Sequence, residues 1–214
     1  MMDVEELLPE VMVHARSVPE PVALRFIRQA ARELCKRAKF WAEWEQITIT
    51  GDDEGEGIST IQDAIILEVE SAQLTNSDGG KYVLEPVTPQ WLDKKYPRWK
   101  YDFDETAAPG RFVTQIKPNT VMVLPKDTGV LDVRLILLPA RNAFTLPDFL
   151  VEDHSELIAK GAAGMILVLP ETEYTNPQLG AYLTGEFNTG LDNIAITAQR
   201  TQFKARPRTK ASYF

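Results

Sequence analysis

Two histidines, one cysteine and a few clusters of carboxylates are what this chain offers to chemistry. His14 and His154 stand far apart, so a two-histidine metal site would require distant segments to meet. Cys35 could act as a nucleophile beside either of them, but it falls on the apolar stripe of a helix, where a buried, inert thiol is the commoner case. Asp52-Asp53-Glu54-Gly55-Glu56 has the carboxylates and the glycine that calcium favours, without the spacing of an EF-hand loop, and reads as a solvated loop. Asp102, Asp104 and Glu105 could supply paired carboxylates for glycoside hydrolysis, yet nothing local fixes their separation. The sequence contains no P-loop, dinucleotide fingerprint, HExxH or GxSxG motif. It is therefore read as having no catalytic residue, no cofactor and no metal.

Two other groups of residues suit binding. Trp91, Tyr96, Trp99, Tyr101 and Phe103 are interleaved with Lys94, Lys95, Arg98 and Lys100. Aromatics beside cations can stack on sugars or bases, and core anchoring under a loop explains them equally well. From Asn193 to Phe214 there is no Asp or Glu, while Arg200, Lys204, Arg206, Arg208 and Lys210 contribute +5. The whole chain carries −8, so its first 192 residues carry −13. An acidic body argues against sequence-reading DNA recognition, which needs Lys and Arg on phosphates. Phe203, Tyr213 and Phe214 lie among the cations of the last segment, which reads either as a frayed terminus or as an arm with aromatic anchors for a partner groove.

These groups must be carried by a scaffold, and its pattern is helices, sheet, helices. Asp3 and Glu6 fit a capping box, followed by Val4, Leu7, Leu8, Val11 and Met12 at helical spacing up to about His14. Beyond Pro19 and Pro21, residues from Leu24 through Ala38 to Trp41 line one face of a second helix, whose other face is basic through Arg25, Arg28, Arg32, Lys36, Arg37 and Lys39. That basic face is read as solvated or turned toward another subunit. Alternating or β-branched runs then predict strands at Ile47–Thr50, Ile61–Val69, Tyr82–Leu84, Arg111–Ile116, Thr120–Leu124 and Val130–Leu138. Asn76-Ser77-Asp78-Gly79-Gly80 predicts a hairpin turn, Lys126–Gly129 a turn between the last two strands, and Pro89–Asp93 one helical turn.

Helical spacing returns after Pro147, with Gly161 and Gly164 inside the helix predicting close approach of another backbone. Asn176 and Pro177 predict the cap and first turn of a last, long helix. The expected fold is α+β: residues 1–45 and 146–198 form a helical bundle, 46–145 an inserted antiparallel β-domain, and 199–214 an extended basic arm. At 214 residues and 44% hydrophobic composition a sizeable core is available without disulfides, which a single cysteine cannot supply. The acidic start lacks the features of a signal peptide, and no apolar run is long enough for a membrane span.

The succession Leu146-Pro147-Asp148-Phe149-Leu150, Ile158-Ala159-Lys160-Gly161-Ala162, Asn176-Pro177-Gln178-Leu179, Ala181-Tyr182 and Glu186-Phe187, ending in the basic arm, resembles tailed-phage head-to-tail adaptor proteins. Ala30-Ala31-Arg32-Glu33-Leu34-Cys35 leading to Trp41 is similar to the family's first long helix, and Val121–Pro125 to Leu137–Pro139 to its strand-turn-strand segment. The likeness is to podovirus tail tubular A proteins. It implies a non-catalytic structural protein of the virion, made in the host cytoplasm. A ring of about twelve copies would join the portal protein to the tail nozzle or fibre proteins and extend the channel for genomic DNA, with no membrane involved. In such adaptors the C-terminal segment inserts into clefts of the portal ring. That role would fall here to Arg200, Phe203, Lys204, Arg206, Arg208, Lys210, Tyr213 and Phe214. Trp91, Tyr96, Trp99 and Tyr101 would then be a contact for tail proteins. The rival reading is a carbohydrate-binding or carbohydrate-cleaving protein using the Trp91–Phe103 patch, and a third is an adaptor scaffold with an added enzymatic β-domain.

Overall fold

A computed structural model describes residues 1–50, 55–97, 99–100 and 111–202, the last five through their helical backbone. Along the chain run β1 (Met2–Asp3), a 3-10 turn at Val4–Leu7, α1 (Leu8–His14), α2 (Glu20–Ala38), β2 (Ala42–Ile49), β3 (Glu56–Ile58), β4 (Ala64–Asn76), β5 (Lys81–Pro86), α3 (Pro89–Lys95), β6 (Phe112–Thr114), β7 (Thr120–Leu124), β8 (Gly129–Pro139), β9 (Thr145–Leu146), α4 (Asp148–Leu167) and α5 (Pro177–Gln202). They form two compact units, Met1–Phe40 with Pro139–Phe214, and Trp41–Leu138. The fold is mixed α/β, with the N- and C-terminal helices packed together and a sheet domain inserted between them. Among the described residues no helix is long and apolar enough to cross a membrane.

In the helical unit, α4 packs against α1, α2 and α5, and α2 also packs against α5. Helix α2 buries Ala23, Ile27, Ala30, Ala31, Leu34, Cys35 and Ala38, a stripe that follows the helical repeat. It ends at Lys39, which takes the left-handed conformation at φ 51° and donates its backbone N–H to Cys35 O at 2.8 Å. The stripe therefore stops before Trp41, expected as its last member. The chain instead turns there and enters β2. Phe40 packs its ring edge-on against Phe149 and His154 of α4, at centroid distances of 5.3 and 5.4 Å.

The capping box expected at Asp3 and Glu6 does not form. Asp3 pairs with Thr145 in the short β1–β9 ladder, and as the residue ahead of the 3-10 turn it makes no side-chain cap. The last helix does begin as expected, with Leu179 N donating to Asn176 Oδ1 at 3.2 Å and Pro177 in the first turn. The close approach expected at the α4 glycines is realised in two ways. A Cβ on Gly164 would stand 3.0 Å from the backbone nitrogen of Thr184 and 3.3 Å from Gly180 O, whereas one on Gly161 would meet the ring of Phe187 at 2.7 Å. Backbone approaches backbone at the first, and an aromatic ring fills the space at the second.

The inserted unit is one seven-stranded sheet in the order β2-β8-β4-β5-β6-β7-β3. Its two end strands approach each other, with Gly57 of β3 set so close to Ile47 of β2 that a Cβ there would lie 2.5 Å from Cγ2, and the sheet nearly closes into a barrel. Ile47, Ile49, Leu74, Leu84, Val121, Val123, Leu131, Val133 and Leu135 are buried. The Asn76–Gly80 turn joins β4 and β5 as expected, held by Gly80 N on Asn76 Oδ1 at 2.7 Å.

Two expectations about the sheet are corrected. It is not wholly antiparallel: β5 pairs in parallel with β6 through Glu85↔Phe112 and Pro86↔Val113. And β7 and β8, consecutive in the chain, are not a hairpin. β7 lies between β6 and β3, while β8 lies between β2 and β4. The segment Pro125–Thr128 is thus a crossover between strands that are not neighbours, which an alternation pattern cannot disclose because it reports the buried face and not the pairing partner.

Candidate functional site

The aromatic group after β5 is placed by α3, which Thr88 caps by accepting Trp91 N on Oγ1 at 3.3 Å. One turn later Leu92 is fully buried, and the chain folds back so that Trp99 joins it, with Phe112 and Leu124, in a small core. Trp99 is only 2% exposed. Its indole nitrogen donates to Asp93 Oδ1 at 2.8 Å, and Lys100 Nζ lies 3.4 Å from the same oxygen and 5.2 Å from the Trp99 ring centre. The Trp99 hydrogen bond, followed by the charge of Lys100, holds the Asp93 carboxyl below the usual carboxylate range. Trp91 and Tyr96 are half-buried, tilted against each other and against Phe112, with Lys95 over both rings.

The structure thus brings Trp91, Tyr96 and Trp99 together, but as a packed wedge over Phe112 and Leu124. An open stacking platform would need an exposed face on Trp99. A cleft of about 260 Å³ does lie in this unit, lined by residues that include Leu67, Val69, Pro86, Pro89 and Thr114, and none of the three rings lines it. Tyr101 and Phe103, with Asp102, Asp104 and Glu105, lie outside the described residues, as do Arg98 and the Asp52-Asp53-Glu54 part of the acidic loop.

The basic face of α2 is largely engaged within its own unit. Arg28 Nε donates to Ala143 O at 2.6 Å, and Arg32 Nη1 donates to Pro139 O, so both hold the segment that returns the chain to the helices. Burial and the neighbouring charge of Arg141 lower the Arg32 pKa. Arg37 reaches Asp192 of α5 at 3.3 Å. Arg25 and Lys36 point outward and are exposed.

Cys35 is fully buried, and that burial pushes its thiol up to about 12, far from the range of a reactive nucleophile. His154 is half-buried behind Phe40, which lowers its pKa against the opposing pull of Asp153. On the exposed side of α4, Glu156 and Lys160 pair at 2.8 Å, each stabilising the charge of the other. Among the described residues no group of three or more His, Cys, Asp or Glu is arranged to hold a metal ion.

Helix α5 runs 26 residues to Gln202 and delivers the chain to the basic segment. Arg200 sits in its last turn. Phe203, Lys204, Arg206, Arg208, Lys210, Tyr213 and Phe214 lie outside the described residues. The model of the SU10 adaptor protein family matches residues 2–210, which takes in both helical segments, the inserted sheet and most of the basic segment. The chain belongs to the SU10 adaptor protein family. No curated protein matches it. The adaptor is a non-catalytic head-to-tail component of a tailed phage, and its place is the tail and connector of the virion. Family membership gives no support to carbohydrate binding.

Sequence reasoning missed the residues that hold this architecture together. In the sequence Arg28 and Arg32 are only members of a basic face, and Asp93 only the end of a helical turn. Their partners are backbone carbonyls and an indole nitrogen far away or across a turn, and no spacing in the sequence marks such pairs.

Proposed function

We propose that the adaptor assembles as a ring of about twelve copies beneath the portal, with the helical unit forming the ring and residues 199–214 docking on the portal protein. The observation that carries this is the division of charge along the chain. A body of −13 ends in a segment of +5 that begins in the last turns of the long helix α5 and contains Phe203, Tyr213 and Phe214. A short arm with cations and aromatic anchors is suited to an extended binding mode, in which affinity comes from a few side chains in pockets. Repeated around a ring, weak dockings add to strong attachment without any single tight contact.

The acidic body suits a channel through which DNA must slide without adhering, since like charge disfavours phosphate contact. The inserted β-domain, with the half-buried Trp91 and Tyr96, is then the part offered to the next tail component, whether nozzle or fibre.

The test is a truncation. The chain lacking residues 199–214 should keep its circular dichroism spectrum and its thermal transition, yet give no complex when mixed with the portal protein of the same genome. Light scattering after size exclusion reads the mass of each mixture. A truncated chain that attaches like the full one would sink the arm assignment.

A further inference from the structure

The cleft of the inserted unit arises from the path of β5. The β4–β5 ladder runs from Thr75↔Lys81 to Ala72↔Leu84, after which β5 pairs in parallel with β6 and the chain leaves for α3. The part of β4 before Ala72 precedes that ladder, and beside it lies the space of about 260 Å³, lined mainly by apolar side chains such as Leu67, Val69, Val87 and Val113. It opens to solvent past the exposed Glu68, Pro86 and Thr88. Thr114, on its wall, is 1% exposed, and among the described residues its hydroxyl has no hydrogen-bond partner. The cleft therefore suits an apolar group that carries one hydrogen-bond donor. An apolar cavity of about 150 Å³ takes a benzene ring, so there is room here for two fused rings.

Such a group stands elsewhere on the same unit. Of the four tryptophans, Trp41 and Trp99 are buried and Trp91 is half-buried, whereas Trp44 of β2 is 68% exposed. It lies on the face of β2 opposite the buried Ile47 and Ile49, beside Arg134, which Glu70 holds at 3.1 Å. Its exposure shows that it does not fill the cleft of its own chain. Around a seven-stranded sheet that nearly closes, β2 and the cleft between β4 and β6 face different sides, so two copies cannot fill each other's clefts at once. A knob on one side and a hole on another make a contact that repeats head to tail, and it closes into a ring when its rotation divides the circle.

We propose that Trp44 seats in the cleft of a second copy of this chain, with its indole N–H donating to Thr114 Oγ1 once a rotation about χ1 turns that hydroxyl into the cleft. The proposal rests on the ring reading above and adds a contact between the inserted units of neighbouring copies. A tryptophan entering an apolar pocket is the side chain from which such a contact gains most.

The experiment compares wild type, Trp44→Ala and Thr114→Val as full chains, alone and mixed with the portal protein, by light scattering and tryptophan emission. Trp44 is exposed and the Thr114 hydroxyl has no partner, so both variants should melt close to or above the wild-type temperature, while their assembled fraction falls several-fold. The emission that wild type has and Trp44→Ala lacks should move to shorter wavelength on assembly, as the indole leaves water. Full assembly by either variant, or a wild-type ring whose emission does not shift, would overturn the contact and leave the ring itself standing. A wild type that gives no multimer, alone or on the portal, would instead remove the ring, and the contact with it.

Discussion

The indole nitrogen of Trp99 donates to the carboxylate of Asp93 at 2.8 Å, tying the chain just beyond α3 back onto the helix. That bond favours the ionised form, so the Asp93 pKa lies lower in the folded chain than in the unfolded one. Its stabilising contribution is present above the ordinary carboxylate range, near about pH 4, and is lost as pH falls through the folded value. Asp93→Asn keeps an acceptor for Trp99 and cannot titrate. Its urea midpoint should therefore decline less than that of wild type as the buffer is taken from about pH 5 to about pH 3. Equal declines would show that Asp93 does not couple this packing to pH.

Arg28 and Arg32 hold the segment that leaves β8 and returns to the helices, through the carbonyls of Ala143 and Pro139. Pro139 and Ala143 are themselves buried, so an alanine at either arginine takes away an acceptor's partner where water has poor access. Each truncation should cost about 1–3 kcal/mol, the range for a buried polar group left unpaired. Arg25→Ala, at an exposed position of the same helix, should stay within about 0.5 kcal/mol of wild type. Chemical denaturation of the three variants separates these cases. A loss at Arg25 as large as at Arg28 and Arg32 would mean that the basic face acts through its total charge and not through the two carbonyls.

The helical unit was legible because its signals are local. The stripe from Ile27 to Ala38, the Asn176–Pro177 start and the Gly164 contact all follow from spacing along one helix and the residue types on it. The sheet was legible as strands and not as topology. Thr120–Leu124 and Gly129–Pro139 lie where alternation places strands, yet they are separated in the sheet by other strands. Asn119 shows why: its side chain accepts from Ile66 N and donates to Ala64 O, both at 3.0 Å, so a turn residue dresses the start of a strand more than 50 positions earlier. The aromatic patch was seen, but whether it faced water depended on Trp99 folding under α3 onto Leu92, and a run of aromatics and lysines is compatible with either outcome.

Gly164 and Gly185 lie on the two helices that make the most extensive helix pair of the unit, and alanine should act at them with opposite sign. At Gly164 the new methyl would stand 2.6 Å from Thr184 Oγ1 and 3.0 Å from Thr184 N. The hydroxyl can rotate away, but the nitrogen belongs to the α5 backbone, so the helices must separate or the strain must remain. Overpacking of this kind costs about 1–3 kcal/mol, more than the gain of about 1 kcal/mol that alanine brings over glycine in a helix. At Gly185 only the gain applies, because among the described residues a Cβ there meets nothing within 4 Å. Thermal unfolding of the unassembled chain should therefore show Gly164→Ala below wild type and Gly185→Ala above it by about 2–4 °C, the shift expected per kcal/mol at this size. Stabilisation by both substitutions would mean that α4 and α5 are not in backbone contact at Gly164.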